Sequence, residues 1–187
     1  MFMKYGTKSL TMDDIAKELG ISKKTLYVYF SDKKDLVYKI IVAHFEKEKE
    51  NCEYLLALDE NPIEFMLGIS RMVSKWIKAT TPSFIFDLQK YHHEAFEYMM
   101  KFKKEFILKN IIQNMTKGVE DGWYRSEIDI EITARFYISL SDSFVNQTIE
   151  FENISYEKIV KEMIDYHLHA ISTEKGIEYI KQHKQQL

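Results

Sequence analysis

The sequence contains little of the material from which cross-linked or membrane-spanning proteins are built. Cys52 is the only cysteine among 187 residues, which excludes an internal disulfide framework. Two prolines and six glycines leave long stretches without a helix-breaking residue, which favours an all-helical fold. No apolar run approaches the roughly 18 residues of a membrane-spanning helix, and the first residues lack the pattern of a signal peptide. We therefore expect an all-α protein of the reducing cytoplasm with no membrane partner.

Motifs for catalysis and for metal or cofactor binding are also missing. The sequence has no Gly-rich phosphate loop, no CxxC pair, no HExxH motif and no serine, histidine and aspartate in a catalytic order. The histidine pairs His92-His93 and His167-His169 are spaced so that one metal ion is not easily held by both members of a pair. The sequence therefore predicts no enzyme, no metal site and no cofactor.

Charge is present but unevenly distributed along the chain. Residues 4–34 carry seven lysines and four acidic residues, which gives a net charge of +3. Because the whole chain has a net charge of −3, the remainder is at −6. A basic N-terminal segment followed by an acidic remainder is typical of a small DNA-binding part attached to a domain with another task.

Residues 11–30, TMDDIAKELGISKKTLYVYF, predict two short helices joined by a tight turn. Thr11 and Asp14 have the spacing of a capping box at the start of the first helix. Gly20 ends that helix because glycine adopts the left-handed conformation at little cost, and Ser22 caps the second helix. The apolar positions of the pair are Ile15, Ala16, Leu19, Leu26 and Phe30. The other faces of the second helix present cations, a hydroxyl and two phenols, which suits a helix-turn-helix that binds DNA.

Residues 1–5 precede this motif and look like the last turns of a helix closed by Gly6. We expect Phe2 and Tyr5 to pack on the two motif helices. We also expect the earlier part of this first helix to be missing from the chain.

Apolar residues at helical spacing predict a series of longer helices after the motif. Ser31 and Asp32 cap the first of them, which runs from Lys33 to about Leu58 and is long enough to bridge two domains. Further helices are expected over residues 62–79, 83–92, 94–120, 130–145 and 155–172, with a short one in the tail. There is no internal repeat and no low-complexity segment.

Segments within residues 10–36 resemble the tetracycline-repressor (TetR) family of bacterial transcriptional regulators. The residues that carry the resemblance are Leu10-Thr11-Met12, Asp14-Ile15-Ala16, Leu19-Gly20-Ile21-Ser22, Thr25-Leu26-Tyr27, Tyr29-Phe30, and Lys33 with Leu36. The rest of the chain is similar to the family only in length and helical layout. The resemblance implies a helix-turn-helix DNA-binding domain over residues 1–46, with a truncated first helix. It also implies a helical ligand-binding and dimerisation domain over residues 47–187.

The resemblance further implies a homodimer that binds a near-palindromic double-stranded operator. Two recognition helices would enter successive major grooves, with half-sites roughly 34–36 Å apart. Such a protein is most often a repressor, and a small apolar or amphipathic effector of unknown identity would release it from the operator.

The DNA contacts implied by the resemblance lie in and around the second motif helix. Three residues are implied to reach base edges and phosphates: Lys23, Lys24 and Thr25. Two are implied to reach the DNA backbone through their hydroxyls: Tyr27 and Tyr29. Two outside the helix are implied to reach phosphates: Thr11 and Lys33. The alternatives are an ordinary solvated surface for the lysine pair and packing against the following helix for Tyr27.

Aromatic and methionine side chains in the middle of the chain are candidates for lining the implied ligand cavity, because methionine adapts to varied apolar guests. The candidates are Trp76, Phe84, Tyr91, Phe96, Met99, Met100, Tyr137 and Phe144. Trp76 is distinguished by its polar neighbours, Lys75 and Lys78, since a large indole in such a setting often borders a cavity. For the others, the ordinary alternative is a place in the hydrophobic core.

The last two strong helices are expected to form the dimer interface as a four-helix bundle with the partner's copies. The residues expected at this interface are Tyr156, Ile159, Val160, Met163, Ile164, His167 and Ile171. The alternative is that they close the core of their own subunit.

Two other functions remain open from the sequence alone. One is a helical carrier of apolar ligands, or an enzyme, in which the DNA-binding part is vestigial. The other is a DNA-binding regulator without an effector, in which the middle helices are fully packed.

Overall fold

A computed structural model describes residues 1–58, 61–145 and 154–183 of the chain. Its α-helices are α1 (Phe2–Tyr5), α2 (Met12–Glu18), α3 (Lys23–Tyr29), α4 (Lys33–Ala57), α5 (Pro62–Ala79), α6 (Pro82–Tyr91), α7 (His93–Phe102), α8 (Leu108–Glu120), α9 (Ile130–Val145), α10 (Tyr156–Ile171) and α11 (Glu174–His183). The all-α prediction is confirmed, since extended pairing in these ranges is limited to an isolated bridge between Tyr124 and Ser172. Within the same ranges, every helix is too short or too polar to cross a bilayer.

Polar side chains fix the start of several of these helices. The Asn61 side-chain oxygen accepts hydrogen bonds from the N–H groups of Ile63 and Glu64, both at 3.0 Å, at the start of α5. Asp129 accepts the N–H of Ile132 at 2.9 Å at the start of α9. These bonds satisfy N–H groups that have no partner within their own helix, so the helix starts are set locally.

The single helix predicted over residues 94–120 is interrupted by a π-helical turn. Residues Lys103–Ile107 form this turn between α7 and α8 without a break in the helical path. Lys103, its first residue, donates hydrogen bonds from its ammonium to Asp142 at 2.6 Å and to Ser141 at 3.1 Å, both on α9. The helical spacing of apolar residues does not reveal such a turn, because one inserted residue rotates the side chains that follow it by only a fraction of a turn.

The chain forms two compact units. The first consists of residues 1–48 and 78–102, and the second of the described residues in the ranges 49–77 and 103–187. Helix α4 begins in the first unit and ends in the second. The functional division predicted at residues 46 and 47 stays a prediction.

The second unit has a hydrophobic core built from α5, α8, α9 and α10. The residues at its centre are Ile63, Met66, Leu67, Met115, Ala134, Ile164 and Leu168. Tyr124, in the turn before α9, is also buried, and its hydroxyl donates to Asn114 at 3.1 Å. A side chain at Gly118 would place its Cβ 2.0 Å from the Tyr124 ring, so this packing requires glycine on α8.

Most residues expected at the dimer interface are buried inside this same unit. Those with described side chains are Ile159, Val160, Met163, Ile164, His167 and Ile171, and none is more than 8% exposed. The side chain of Tyr156 lies outside the described part. A residue that its own subunit covers has little surface left for a partner, so the structure favours the alternative, in which these residues close the core of one subunit.

His167 on α10 is a buried polar group in an apolar environment. Its ring centroid lies 4.6 Å from that of Tyr137, and its Nε2 has no hydrogen-bond partner in the described part of the chain. Burial lowers the pKa of His167 to about 4. The imidazole is therefore neutral at pH 7, and protonating it in the folded state is unfavourable.

Acidification should destabilise the protein through His167. Because its pKa is about 4 in the folded state and the ordinary value for histidine is 6.5, the unfolded chain binds more protons between these values. Stability is therefore expected to fall by up to about 3 kcal/mol as the pH drops from 6.5 to 4. Urea titrations of wild type and His167→Phe over this range measure the difference. The His93→Gln variant serves as the control, because His93 is exposed. Equal pH slopes for wild type and His167→Phe would contradict the assignment.

Candidate DNA-binding interface

The start of α2 is fixed by a reciprocal set of hydrogen bonds. The N–H of Thr11 donates to Asp14 Oδ2 at 2.8 Å, and the N–H of Asp14 donates to Thr11 Oγ1 at 3.2 Å. The Thr11 hydroxyl also donates to Asp14 Oδ2, at 2.6 Å. These bonds from Thr11 hold the pKa of Asp14 below its usual value. The predicted capping box is confirmed, and a phosphate would have to compete with Asp14 for the two donors of Thr11.

The turn between α2 and α3 follows from two residues. Gly20 has φ +67°, a conformation that side chains disfavour, although a Cβ would meet no atom within 4 Å. The next N–H, of Ile21, returns to the Ala16 carbonyl at 3.0 Å. Ser22 Oγ then accepts the N–H of Thr25 at 3.0 Å and caps α3. Both the stop and the second cap were predicted from sequence.

Apolar side chains are buried in α1, α2, α3 and the start of α4. The buried residues are Phe2, Met12, Ile15, Ala16, Leu26, Leu36, Val37 and Ile41. Two predictions for this core were wrong, since Leu19 is 59% exposed and Tyr5 56% exposed. Leu19 is the C-terminal cap of α2, where the chain leaves the helix, so the helical spacing that assigned it to the core no longer applies.

Five of the seven residues predicted to bind DNA lie at exposed positions of α3. Lys23 forms an ion pair with Asp13 of α2, with Nζ and Oδ2 2.8 Å apart. Lys24 is exposed and forms no hydrogen bond or ion pair within the described part of the chain. Tyr27 is 44% and Tyr29 67% exposed, so both residues are accessible to a ligand. Thr25 shares a hydrogen bond of 2.8 Å with the hydroxyl of its cap.

Val28 is an additional candidate that the sequence analysis missed. It is 73% exposed, more than any other large apolar residue of α3. It follows Lys24 by four residues, so the two lie on the same side of the helix. An exposed aliphatic group next to a free ammonium suits apolar contact with a thymine methyl in the major groove. The four-residue spacing between Lys24 and Val28 could have identified Val28 from the sequence.

Lys33 holds the segment before α2 in place. Its Nζ donates to the carbonyl oxygens of Thr7 at 3.0 Å and Leu10 at 2.9 Å, and the residue is only half-buried. The predicted phosphate contact of Lys33 remains a prediction beside this structural role. Similarly, Lys39 Nζ donates to the Tyr29 carbonyl at 3.0 Å and fixes the end of α3.

The candidate ligand-lining residues are distributed over both units. Phe84, Tyr91, Phe96, Met99 and Met100 lie in the first unit, and Trp76 and Tyr137 in the second. Phe84, Met99 and Tyr137 are buried, while the others are half-buried. The side chain of Phe144 is outside the described part. The cavity stays a prediction. Among the described residues, no three His, Cys, Asp or Glu side chains are grouped to hold a metal ion.

Known regulators are similar to this chain in sequence. Residues 1–40 match the family model for bacterial regulatory proteins of the tetR family. An HTH-type transcriptional regulator of Staphylococcus aureus strain USA300 is 23% identical over 181 residues, covering 91% of this chain and 88% of that protein. The uncharacterized HTH-type transcriptional regulator YvaF of Bacillus subtilis strain 168 is 32% identical over 99 residues, which is 52% of either protein.

The fold is similar to that of solved regulators. The crystal structure of a transcriptional regulator from Cytophaga hutchinsonii superimposes with a TM-score of 0.72. The match is at 18% identity and covers 92% of this chain and 93% of that one. Taken with the capped helix pair and its basic exposed face, these similarities define a DNA-binding transcriptional regulator of the helix-turn-helix class. The family that residues 1–40 resemble is the tetR family of bacterial regulatory proteins.

Removing the carboxylate that engages Lys23 should strengthen DNA binding. In Asp13→Asn the Lys23 ammonium is free to reach a phosphate and one negative charge leaves the face. We expect binding to tighten roughly three- to tenfold at low salt, with a steeper salt dependence, because one more cation releases counterions. Fluorescence anisotropy titrations with one duplex at several salt concentrations measure both quantities. Unchanged affinity would show that Lys23 does not contact DNA.

Removing a positive charge from α3 tests the same DNA-binding surface. Lys24→Ala should weaken binding and reduce the salt slope by about 1. The matched control is Lys158→Ala, which removes the same charge from an exposed position on α10. If both variants lose affinity equally, net charge rather than the α3 face accounts for binding.

Proposed function

We propose that this chain is a homodimeric repressor that binds a near-palindromic operator and is released by a small apolar or amphipathic effector. The observation that carries the proposal is the face of α3, where exposed Lys24, Val28 and Tyr29 project from a helix capped at its start and bonded at its end. Residues 1–46 would form the DNA-binding domain and residues 47–187 the domain for ligand binding and dimerisation. Its place of action would be the cytoplasm, where the operator is accessible.

Within the DNA-binding domain, we assign each residue by what its side chain can offer. Lys23, Lys24 and Thr25 lie in the first turn of α3, where a recognition helix meets base edges and phosphates. The phenol hydroxyls of Tyr27 and Tyr29 would donate to phosphate oxygens. Two further phosphate contacts are proposed at the edges of the motif, from Thr11 and Lys33.

For the dimer interface we propose the apolar groups that the folded subunit leaves uncovered. Phe136 is 70% and Ile132 50% exposed on α9, and they are one helical turn apart. Tyr166 on α10 is 73% exposed. A second copy related by a two-fold axis would cover these groups, because both subunits then contribute the same surface to the interface. Beside them on α9, Arg135 donates to Glu131 at 2.8 Å, which gives the surface a polar edge.

Release by an effector requires only that it bind more tightly to the form that does not fit the operator. A coupling of about 1–3 kcal/mol, typical of such regulation, changes operator affinity about 5- to 150-fold. Helix α4 is continuous from Lys33, beside the DNA-binding motif, to Ala57. It would therefore transmit a displacement of the ligand-binding domain. The residues predicted from sequence to line the ligand cavity lie in both units, and each set remains a candidate for ligand binding.

Selection of bound fragments from genomic DNA tests the regulatory function. Wild-type protein should recover one short, near-palindromic site, whereas a variant with Lys24→Ala and Tyr27→Ala should recover it poorly. Recovery of a palindrome close to the protein's own gene would support repression of neighbouring genes. No enrichment over the variant would contradict the proposal and favour a carrier or enzyme with a vestigial DNA-binding part.

The dimer surface is tested by placing a charge on it. Phe136→Glu should shift the protein from dimer to monomer at micromolar concentration, because two buried carboxylates would face each other across the axis. Analytical ultracentrifugation gives the molecular mass. Leu19→Glu is the matched control, since Leu19 is an exposed apolar residue outside this surface. A Phe136→Glu variant that remains dimeric would exclude this interface.

A further inference from the structure

Thr7, in the loop between α1 and α2, is a hydrogen-bonding hub with no exposed surface. Its N–H donates to Asp87 Oδ2 of α6 at 2.7 Å, and its hydroxyl lies 3.2 Å from the same oxygen. Its carbonyl accepts from Lys33 of α4 at 3.0 Å. A single buried residue therefore joins the entrance of the helix-turn-helix to two other helices of the first unit.

Asp87 provides the acceptor for this loop. Its Oδ2 also accepts the N–H of Lys8 at 2.9 Å, so one oxygen serves two consecutive backbone donors and a hydroxyl. Asp87 is only 6% exposed. The approach is close: a Cβ at Gly6 would lie 2.9 Å from Asp87 Oδ2, and Gly6 has φ +76°. Both the backbone conformation and the space at position 6 therefore suit glycine.

The two ends of α6 bond to the same N-terminal segment. At its start, the N–H and hydroxyl of Thr81 donate to the Met3 carbonyl at 2.9 and 3.1 Å. At its end, His92 Nε2 lies 3.0 Å from the Thr7 hydroxyl oxygen. Because that hydroxyl donates to a carboxylate, Nε2 must be the donor to Thr7. Helix α6 is thus bonded to this segment at its start, near its middle and at its end.

These hydrogen bonds are directional, whereas the hydrophobic effect that packs the helices together is not. The apolar core beneath α2 and α3 drives association but tolerates small sliding movements. Hydrogen bonds weaken steeply when the donor and acceptor are misaligned, and those to a carboxylate are among the stronger ones. The carboxylate therefore selects one orientation of the segment that leads into α2.

We propose that Asp87 is a positioning residue for operator binding, which holds α2 and α3 in one orientation on α6 so that the two subunits present their recognition helices at a single half-site spacing. This rests on the proposed function as a dimeric DNA-binding repressor. Asp87 touches no DNA in this proposal and acts through Thr7 and Lys8. Loosening its contact lowers the effective concentration of the second recognition helix at the correct spacing and reduces the penalty at other spacings.

The test measures affinity against spacing. The duplexes are the operator recovered by the wild-type protein, versions with one to three base pairs inserted or removed between the half-sites, and a single half-site. The variants are Asp87→Ala, Asp87→Asn and Thr7→Val, with Glu97→Gln as the control. Glu97 is an exposed carboxylate on α7 of the same unit, with no hydrogen bond in the described part of the chain.

We expect Asp87→Ala to bind the full operator at least tenfold more weakly and the single half-site within twofold of wild type. Its affinity should therefore vary less with spacing. Asp87→Asn, which keeps one acceptor oxygen, should recover part of the preference. Hydrogen exchange at the amides of Thr7 and Lys8 should accelerate in Asp87→Ala without DNA. If Asp87→Ala does not fold, Thr7→Val tests the same contact with a smaller expected loss of the spacing preference, because it removes the hydroxyl and leaves the two backbone N–H groups on Asp87.

Equal losses at the full operator and the single half-site would overturn the proposal, because Asp87 would then only stabilise each subunit. An unchanged spacing profile would overturn it as well. Failure of the wild-type protein to select any operator is a different result, which contradicts the proposed function itself.

Discussion

The arrangement of the DNA-binding part depends on how the backbone N–H groups of the loop between α1 and α2 find hydrogen-bond acceptors. Gly6 ends α1 and α2 begins only at Met12, so the N–H groups of Thr7 and Lys8 have no helical partner. Asp87 accepts both, at 2.7 and 2.9 Å. A buried donor left without a partner costs about 1–3 kcal/mol, so an alternative orientation of this loop is disfavoured unless it finds another acceptor. The direction in which α2 leaves the loop follows from this constraint.

The Asp13 carboxylate on the DNA-binding face has two opposing effects: it stabilises α2, and it reduces the positive charge available to DNA. Asp13 lies in the first turn of α2, where a carboxylate favours the helix through its dipole. The same carboxylate engages Lys23 of α3, which reduces the positive charge available to DNA. Lys24 keeps its charge free within the described part of the chain. The two adjacent lysines of α3 are therefore not equivalent, although they look alike in sequence.

Local signals predicted the helix pair well. Thr11 and Asp14 cap one helix and Ser22 the other through bonds that span three residues, and Gly20 ends a helix through its own φ. Predictions that depended on distant residues were less successful. Leu19 fits the apolar spacing of α2, yet it is exposed because the chain turns away there. Periodicity also identified the apolar side of α10, but it does not say whether the same subunit or a partner covers that side.

What the sequence determined by itself is therefore local: an all-helical chain, the limits of most helices, and a basic helix-turn-helix whose residues resemble those of the TetR family. Capping, glycine turns and helical periodicity act within a few residues, so they can be recognised from the order of residues alone. What only the tertiary structure decided is which groups meet across long separations. Asp87 reaches Thr7 across 80 positions, and Asp13 reaches Lys23 between two helices. Such contacts depend on the packing of whole helices, which no local pattern specifies.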